Sequence, residues 1–322
     1  MSTLEEPRAR ISNEQIVGEL DVSIVIATKD RPDDLHACIL SICQQTRFPN
    51  EVIVVDASQG INAQRNRAAL NMLQATPIST LYLPSDLRSL TYQRNTGVDH
   101  AKGDIIFFLD DDVELFPRLF ETMFDVYLEL GRDIDGLQGV STDFVQPTWT
   151  NQLGDAIFLP GSTFSKYQQG IHPSGFSFIK RGAKARVQPV QWMAGYCMSY
   201  RREVFERYRF DTELGGYALS EDKDFSFRVS QDFQLYRLMN AGLKHKKSFA
   251  GRLDEEALMR MWVINRHMLF AKNFENGLIT RILFQWALLG RISVLLLYGL
   301  LRRDLQAVRG VLKGLKDIFT RS

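Results

Sequence analysis

The sequence contains few cysteines and carries almost no net charge. Among its 322 residues are three cysteines, and 39 Lys and Arg residues nearly balance 38 Asp and Glu residues, which leaves a formal net charge of +1. Three cysteines do not form an even disulfide framework, so we expect reduced thiols at Cys38, Cys43 and Cys197 and a cytoplasmic setting. A nearly neutral chain has no overall positive field, so we expect no nucleic-acid partner.

The first twenty residues lack the apolar region of a signal peptide, and the sequence lacks a long uninterrupted apolar run. Residues 1–20 contain no apolar core of the signal-peptide type, so we expect no secretion. In residues 282–301 (ILFQWALLGRISVLLLYGLL), Arg291 interrupts the apolar sequence. The longest apolar run is about half of the ~20 residues that a transmembrane helix requires. We therefore expect this segment to lie on a surface and not to cross a bilayer.

Strands and helices alternate in the first third of the chain. Runs of β-branched and apolar residues without polar alternation are typical of strands buried on both faces of a parallel sheet. Four segments have this pattern: 22–27 (VSIVIA), 51–56 (EVIVVD), 79–83 and 104–109. Helices are predicted between them, at 32–45, 62–74 and 90–101. This alternation predicts an α/β fold with a Rossmann-like, mostly parallel sheet flanked by helices, in which ligands bind beyond the carboxyl ends of the strands.

The pattern changes after residue 115. We predict a helix at 116–130 and then long loops at 146–188, because Gly, Ser, Pro and aromatic residues show no clear periodicity there. Regular structure is predicted again at 191–200 and in a helix that begins near Ser220. From Asp254 onward the chain is predicted to be helical to its end.

Acidic residues follow two of the predicted strands. Asp110, Asp111 and Asp112 come directly after the apolar run IIFFL, and adjacent carboxylates repel one another unless a cation compensates them. Hard divalent ions such as Mg²⁺ and Mn²⁺ prefer oxygen ligands, and the alternate residues Asp110 and Asp112 can point to the same side. A solvated acidic turn is the alternative for the triplet. Asp56 ends a second strand at the same sheet edge, although a single Asp there is more often a turn former or helix cap.

Five segments of the sequence resemble family 2 glycosyltransferases. Three of them, in this order and spacing, are similar to the nucleotide-sugar half of that family: VSIVIATKDRP, EVIVVDAS and QRNTGVDHAKGDIIFFLDDDVEL. The resemblance continues through WMAGYCMSYRREVFERYRFD and GGYALSEDKDFSFRV and covers roughly residues 21–250. It implies a GT-A-type catalytic domain between an N-terminal extension at 1–20 and a helical C-terminal segment at 251–322. The nucleotide-sugar half would span about 21–115 and the acceptor half about 116–250.

The resemblance also implies an activity and its co-substrates. The expected reaction is an inverting, metal-dependent transfer of a hexosyl or deoxyhexosyl group from a nucleoside-diphosphate-sugar donor to an acceptor hydroxyl. The acceptor would be a glycan. If the C-terminal segment binds a membrane, we expect a lipid-linked glycan in cell-surface polysaccharide synthesis. Mn²⁺ or Mg²⁺ would bridge the donor diphosphate and stabilise the charge on the leaving nucleotide.

Carried over residue by residue, the resemblance assigns a donor site. Asp56 would pair with the base, Arg94 would line the donor pocket, and Asp110 and Asp112 would meet the ribose and the metal. The predicted nucleotide-sugar site as a whole comprises Ala27, Thr28, Asp30, Arg31, Asp56, Arg94, Asp110 and Asp111. His245, in LKHKKS, lies where similar enzymes carry a metal-binding histidine, although a lone histidine is usually a packed or surface residue.

The catalytic base is expected in the segment LSEDKDF. The resemblance points to Glu221 and Asp222, and we predict that Asp222 deprotonates the acceptor hydroxyl. Without the resemblance, a helix capped by Ser220 with acidic residues in its first turn is the better interpretation. Trp192 and Gly195 are weaker candidates for the sugar and acceptor pocket, because aromatic faces stack on sugars and glycine allows close approach.

Two other functions compete with this prediction. A sugar-phosphate nucleotidylyltransferase also uses a parallel sheet and metal carboxylates, but its Gly-rich first loop is missing, since ATKDRP contains no glycine. A non-catalytic protein that binds nucleotide sugars or glycans with the same fold is the second alternative. A dinucleotide dehydrogenase is disfavoured because neither first-strand turn carries G-x-G-x-x-G.

The C-terminal segment has an amphipathic pattern. Apolar residues recur at three- and four-residue steps beyond Leu301, and basic residues lie largely elsewhere on the helix. Residues 282–322 therefore resemble an interfacial helix that binds an anionic membrane surface, which suits a cytoplasmic protein peripheral to the inner face of the cell membrane. Packing on the catalytic domain or on another subunit of an oligomer is the alternative.

Overall fold

The computed structural model describes residues 20–182, 185–246, 253–274, 277–302 and 305–321. The predicted N-terminal extension at 1–20 lies, apart from Leu20, outside the described residues. Cys38 and Cys197 are buried, Cys43 is half-buried and all three are unpaired, as the sequence predicted.

The first four strands and three helices alternate as predicted. The strands are β1 Val22–Thr28, β2 Glu51–Asp56, β3 Ser79–Pro84 and β4 Ile105–Asp110. The helices are α1 Pro32–Cys43, α2 Gly60–Ala69 (with a 3₁₀ turn at Leu70–Ala75) and α3 Leu90–His100. Pro32 opens α1 and two acidic residues occupy its first turn, a composition that favours a helix start.

These are four of the ten strands of one sheet, they lie in the order β3-β2-β1-β4 from one edge, and all four are parallel. Ala27 pairs with Asp110 and Thr28 pairs with Asp56, so the carboxyl ends of β1, β2 and β4 lie side by side. Phe107 and Phe108 of β4 are fully buried in separate apolar clusters on the two faces. The mostly parallel sheet flanked by helices confirms the predicted fold class.

The rest of the chain up to His245 contains shorter strands. After β5 Val113–Leu115 and α4 Leu119–Leu130, the elements are β6 Gly136–Gly139, α5 Trp149–Phe158, β7 Gln169–Ile171, β8 Ser177–Ile179, β9 Val187–Val190, β10 Cys197–Arg201 and α6 Val204–Arg207. The next three are α7 Glu221–Val229, β11 Leu235–Leu238 and β12 Leu243–His245. The full order of the ten-stranded sheet is β3-β2-β1-β4-β10-β6-β11-β9-β7-β8, and β5 and β12 form a separate two-stranded sheet. Strand β10 is antiparallel to both β4 and β6, which makes the large sheet mixed.

The predicted loops at 146–188 are wrong in part. The region contains α5, which begins with a capping box between Thr148 and Asn151, and the strands β7, β8 and the start of β9. Each of these strands has three or four residues, too few for a visible alternation, and their pairing is set by the sheet. The regular segment predicted at 191–200 is also shorter, because β10 begins only at Cys197.

Three helices form the C-terminal segment: α8 Glu255–Asn273, α9 Leu278–Arg302 and α10 Gln306–Arg321. Helix α10 packs closely on α8, since a Cβ at Gly310 would lie 2.3 Å from the Glu256 carbonyl oxygen. This contact corresponds to the packing alternative for the amphipathic end of the chain. Helix α9 instead exposes many large apolar side chains, including Ile282 and Leu289, and is described further below.

Candidate active site

The carboxyl ends of β1 and β4 open into a cleft of about 500 Å³. The loop after β1, the Asp110–Asp112 turn, the start of α7 and the end of β12 form its walls. The structure brings these predicted site residues together on the cleft wall: Ala27, Thr28, Asp30, Arg31, Arg94, Asp110, Asp111, Asp112, Gly195, Glu221, Asp222 and His245.

Asp110, Asp112 and His245 form a group of side chains that could hold a metal ion. One potential ligand atom from each lies within 4.8 Å of the others, and His245 Nε2 is 3.1 Å from Asp112 Oδ1. The short antiparallel pairing of β12 with β5, with His245 opposite Val113, brings the histidine to the acidic turn. Two carboxylates and an imidazole are a suitable donor set for Mn²⁺ and, less so, for Mg²⁺.

Asp111 faces the loop after β1. It accepts hydrogen bonds from Thr28 Oγ1 at 2.7 Å and from Arg31 Nη1 at 3.1 Å. Burial raises the pKa of Asp111 to about 7, although the Arg31 charge and the Thr28 hydrogen bond oppose this shift. Asp30 has a left-handed backbone with φ of 55°, and its N–H donates to Ser58 Oγ at 2.6 Å. These contacts hold the loop in one conformation at the edge of the cleft.

Arg94 joins the two halves of the site. Its side chain is almost fully buried, and its Nη2 donates to Asp110 Oδ1 and to the Gly195 carbonyl oxygen, both at 3.0 Å. Its Nη1 donates a further hydrogen bond to Glu221 Oε1. Burial raises the pKa of Glu221 to about 8, while the neighbouring Arg94 opposes the rise. Arg94 therefore fixes the metal-ligand turn relative to the start of α7.

Asp222 is oriented by backbone groups. Its Oδ2 accepts the Gly195 N–H at 3.0 Å and its Oδ1 accepts the Lys223 N–H at 2.8 Å. Helix α7 begins at Glu221 as predicted, but the expected side-chain cap is wrong: Ser220 has φ of 73° and its hydroxyl makes no capping hydrogen bond. Ser220, with its left-handed backbone, and Asp222 both line the cleft, so the start of α7 forms part of the cleft wall.

Two predicted residues are not on the described cleft wall. Asp56 is buried below it and accepts hydrogen bonds from the Ser58 N–H, Asn66 Nδ2 and Tyr82 OH at 2.7 to 2.8 Å. Trp192 is 7% exposed and lies under Lys223, whose Nζ is 4.5 Å from the indole ring centroid. Both are packed next to site residues without lining the cavity.

The structure also adds residues that the sequence did not single out. Gln93 lines the cleft, and its Nε2 donates to the carbonyl oxygens of Thr28 at 2.9 Å and Val55 at 2.7 Å. Tyr196 stacks on His245 with ring centroids 4.9 Å apart. Gln93 precedes Arg94 in the QRN segment, which was a signal in the sequence, whereas the ring stacking depends on two distant segments and left no sequence pattern.

Sequence comparison with known proteins finds glycosyltransferases that are similar to this chain. Residues 23–209 match the family model described as Glycosyl transferase family 2. A glucosyl-dolichyl phosphate glucuronosyltransferase from Haloferax volcanii is 26% identical over 201 residues, which are 62% of this chain and 56% of that protein. An uncharacterized glycosyltransferase, YwdF, from Bacillus subtilis is 26% identical over 72% of this chain and 76% of its own length.

A solved structure extends the comparison to the fold. The mannosyltransferase PcManGT from Pyrobaculum calidifontis, in complex with GDP-Man and Mn²⁺, superposes with a TM-score of 0.57 at 15% identity, covering 94% of this chain and 88% of that one. At this identity the likeness shows the fold alone. The GT-A-type fold predicted from the sequence is confirmed. The chain spans about half the length of the Haloferax volcanii relative.

Proposed function

This chain belongs to glycosyl transferase family 2, and from that premise we propose that it transfers a sugar from a nucleoside-diphosphate donor to an acceptor hydroxyl with inversion. The observation that carries the proposal is the shared cleft, which contains the metal-ligand set Asp110, Asp112 and His245 together with the Asp222 carboxylate. An ion site and a carboxylate base in one cleft are the two groups that a single displacement at the anomeric carbon requires.

The donor is proposed to bind between the loop after β1 and the Asp110–Asp112 turn. Arg31 and Arg94 both carry positive charge to this side of the cleft, and each is already held by a carboxylate. The solved structure of the mannosyltransferase contains GDP-Man and Mn²⁺, which supports a nucleotide sugar and a divalent ion as the ligands. Asp110, Asp112 and His245 would hold Mn²⁺ or Mg²⁺, and the bound ion would stabilise negative charge on the departing diphosphate.

Asp222 is proposed as the base. Two backbone N–H groups orient its carboxylate, and it remains half-buried on the cleft wall, where an acceptor hydroxyl can reach it. We assign Glu221 a positioning role, because its Oε1 is bound to Arg94 and burial favours its neutral form. A protonated carboxyl group is a poor general base near neutral pH.

The acceptor is proposed to be a lipid-linked glycan at the inner face of the cell membrane. The Haloferax volcanii relative is named as a glucosyl-dolichyl phosphate glucuronosyltransferase, which supports a lipid-linked substrate. Among the described residues, α9 is one helix that is long and apolar enough over Leu278–Leu297 to cross a membrane by length and composition, and 22% of that stretch is buried. Because helices of this length and composition also occur inside soluble proteins, we do not propose that α9 crosses the membrane. We propose instead that it contacts the membrane surface. A second copy of the chain on the same face is the competing partner.

The proposal is tested in two steps on the full chain. Thermal-shift screening of nucleoside diphosphates with Mn²⁺ identifies the base, because a ligand raises stability only if it binds the folded state. The matching nucleotide sugars are then assayed for transfer and for hydrolysis. Asp222→Asn should lower turnover by roughly 10²–10⁴-fold with donor binding kept, since general-base catalysis contributes about this much.

The surface variant Asp99→Asn is the control, because it alters an exposed ion pair with Arg209. Nucleotide binding without turnover for any donor and acceptor would favour the non-catalytic binding protein. Formation of a nucleotide sugar from a sugar phosphate and a nucleoside triphosphate would favour the nucleotidylyltransferase.

A further inference from the structure

Two positively charged side chains without a carboxylate partner lie near the proposed base. Lys223 follows Asp222 in the first turn of α7, and Arg266 lies in the middle of α8. Within the parts of the chain that the structure describes, neither side chain has a carboxylate oxygen within 4.0 Å. Most other buried or half-buried cations of this site, such as Arg31 and Arg94, do have such a partner.

Both cations reach the same short segment, at the start of β8. Lys223 Nζ donates to Ser177 Oγ at 3.1 Å, and Arg266 Nη1 donates to the Gly175 carbonyl oxygen at 2.6 Å. The Arg266 guanidinium also lies over the Phe176 ring, with its Cζ 5.1 Å from the centroid. Residues 175–177 therefore bind both Lys223 and Arg266 and hold their two positive charges near each other. Like charges at short distance repel and are destabilising.

Two buried donors in this region have no acceptor. Arg266 is 5% exposed and its Nε has no hydrogen-bond partner among the described residues. Trp192, directly under Lys223, is 7% exposed and its Nε1 likewise has none. Buried donors are nearly always paired in folded proteins, and an unpaired one is destabilising. An acceptor-rich anion beside Lys223 and Arg266 would balance the two charges and supply the acceptor that Arg266 Nε lacks.

The pKa shifts have the same physical origin. Burial lowers the pKa of Lys223 to about 8, and the positive charge of Arg266 lowers it further. Burial also lowers the pKa of Arg266 to about 10, with a smaller contribution from Arg291. The negative charge of Asp222 raises the pKa of both Lys223 and Arg266, but it does not cancel the lowering caused by burial.

We propose that Lys223 and Arg266 bind a phosphoryl group of the acceptor beside Asp222. This inference rests on the proposed function, and it specifies the acceptor as a phosphate-bearing molecule. A phosphoryl group offers several strong acceptor oxygens and up to two negative charges, which match the two cations. Neither cation lines the cleft that contains Asp110 and His245, so the bound anion is not the donor diphosphate. Because Lys223 is adjacent to Asp222 in α7, a phosphate held there would keep the acceptor hydroxyl near the base.

The test uses the full chain without divalent ions and inorganic phosphate as the probe. Phosphate replaces chloride at constant ionic strength, and thermal unfolding reports binding. Lys223→Met removes the charge and keeps most of the side-chain length, while Lys223→Arg restores the charge. Lys166→Met is the matched control, because Lys166 Nζ also lies over an aromatic ring, 5.0 Å from the Tyr167 centroid.

The wild type, Lys223→Arg and Lys166→Met should show a saturable rise in Tm with phosphate. In Lys223→Met the dissociation constant should be at least about tenfold larger, since one charge-assisted hydrogen bond is lost. The absence of a saturable response in the wild type, or an equal response in Lys223→Met, would overturn the proposal and leave Lys223 as a packing residue on Trp192.

Two further arms identify the source of the phosphate. Glycerophosphoglycerol represents a soluble phosphodiester and vesicles of phosphatidylglycerol represent a lipid headgroup. A Lys223-dependent response to either probe supports the site and assigns its source, and a Lys223-independent response to both contradicts it. Nucleoside-diphosphate binding with Mn²⁺, measured on the same variants, tests the proposed function separately because the donor cleft does not include Lys223.

Discussion

The backbone of Gly195 connects the Asp222 carboxylate to the Arg94 guanidinium. The Gly195 N–H donates to Asp222 Oδ2 at 3.0 Å, and its carbonyl oxygen accepts Arg94 Nη2 at 3.0 Å. Arg94 in turn binds Asp110 and Glu221. The Gly195 backbone therefore links the proposed base to the Asp110–Asp112 turn. Because glycine has no Cβ, the Arg94 guanidinium can lie directly against this backbone.

Gly195→Ala should damage the site while leaving the fold in place. A Cβ at this position would lie 3.0 and 3.1 Å from the two Nη atoms of Arg94 and 3.2 Å from Glu221 Oε1, so the ion pair must shift. We expect a loss of about 1–3 kcal/mol in stability, as for an overpacked core, and at least a tenfold loss in turnover, since small displacements of catalytic groups are costly.

Urea unfolding and a transfer assay measure these two effects. Gly154→Ala in α5 is the control, because a Cβ there would meet no atom within 4 Å, and it should leave activity unchanged. Normal turnover in Gly195→Ala would show that the geometry of Arg94 does not limit the reaction.

Asp112→Asn should weaken binding of the divalent ion. The change removes one of two carboxylates from the set that also contains Asp110 and His245, while it keeps the side-chain size. In the wild type, Mn²⁺ at about 100 times its dissociation constant should stabilise the fold by roughly 2.7 kcal/mol, and EDTA should remove this gain. The variant should lose most of the Mn²⁺-dependent rise in Tm. Asp33→Asn, which alters an exposed ion pair with Arg65, is the control and should keep the Mn²⁺-dependent rise in Tm. The same rise in Asp112→Asn as in the wild type would exclude this metal site.

Some of this site was predictable from the sequence and some was not. The strands β1, β2 and β4 are contiguous apolar runs, so their ends and the acidic residues after them are visible in the sequence. The position of His245 depends on a three-residue pairing with a distant strand, and only the resemblance to a known family pointed to it. The left-handed backbone at Ser220 and the burial of Asp56 depend on tertiary packing, which periodicity does not encode.

The protonation of Glu221 predicts an unusual pH dependence of stability. Its folded-state pKa is about 8, above the ordinary value of 4.5, so the folded protein retains a proton that the unfolded chain releases. Where the unfolded state binds fewer protons, stability falls as pH rises, and the fall should occur between about pH 5 and pH 8. For this one group we expect a loss of roughly 1–3 kcal/mol across the range.

Glu221→Gln separates this effect from other titrating groups. Glutamine resembles the protonated acid, so the variant should match the wild type near pH 5.5 and be the more stable protein near pH 8.5 in urea unfolding without metal. If Glu221 is ionised in the folded state, the variant instead leaves the buried Arg94 with one ion pair fewer and is several kcal/mol less stable at both pH values.

The exposed face of α9 should bind anionic membranes. Ile282, Trp286 and Leu289 lie together on one face and are 58%, 44% and 55% exposed. An apolar patch next to basic side chains such as Arg281 can insert between lipid headgroups and gain affinity from their charge. Flotation with phosphatidylglycerol vesicles at low salt should recover the wild-type chain. Leu289→Glu should reduce the recovered fraction several-fold, because a carboxylate would enter the apolar region and face anionic lipids.

Leu128→Glu in α4, at a side chain that is 41% exposed, is the matched control and should float like the wild type. Failure of the wild type to float, combined with a concentration-dependent increase in mass that Leu289→Glu abolishes, would assign this face to contact between two copies of the chain.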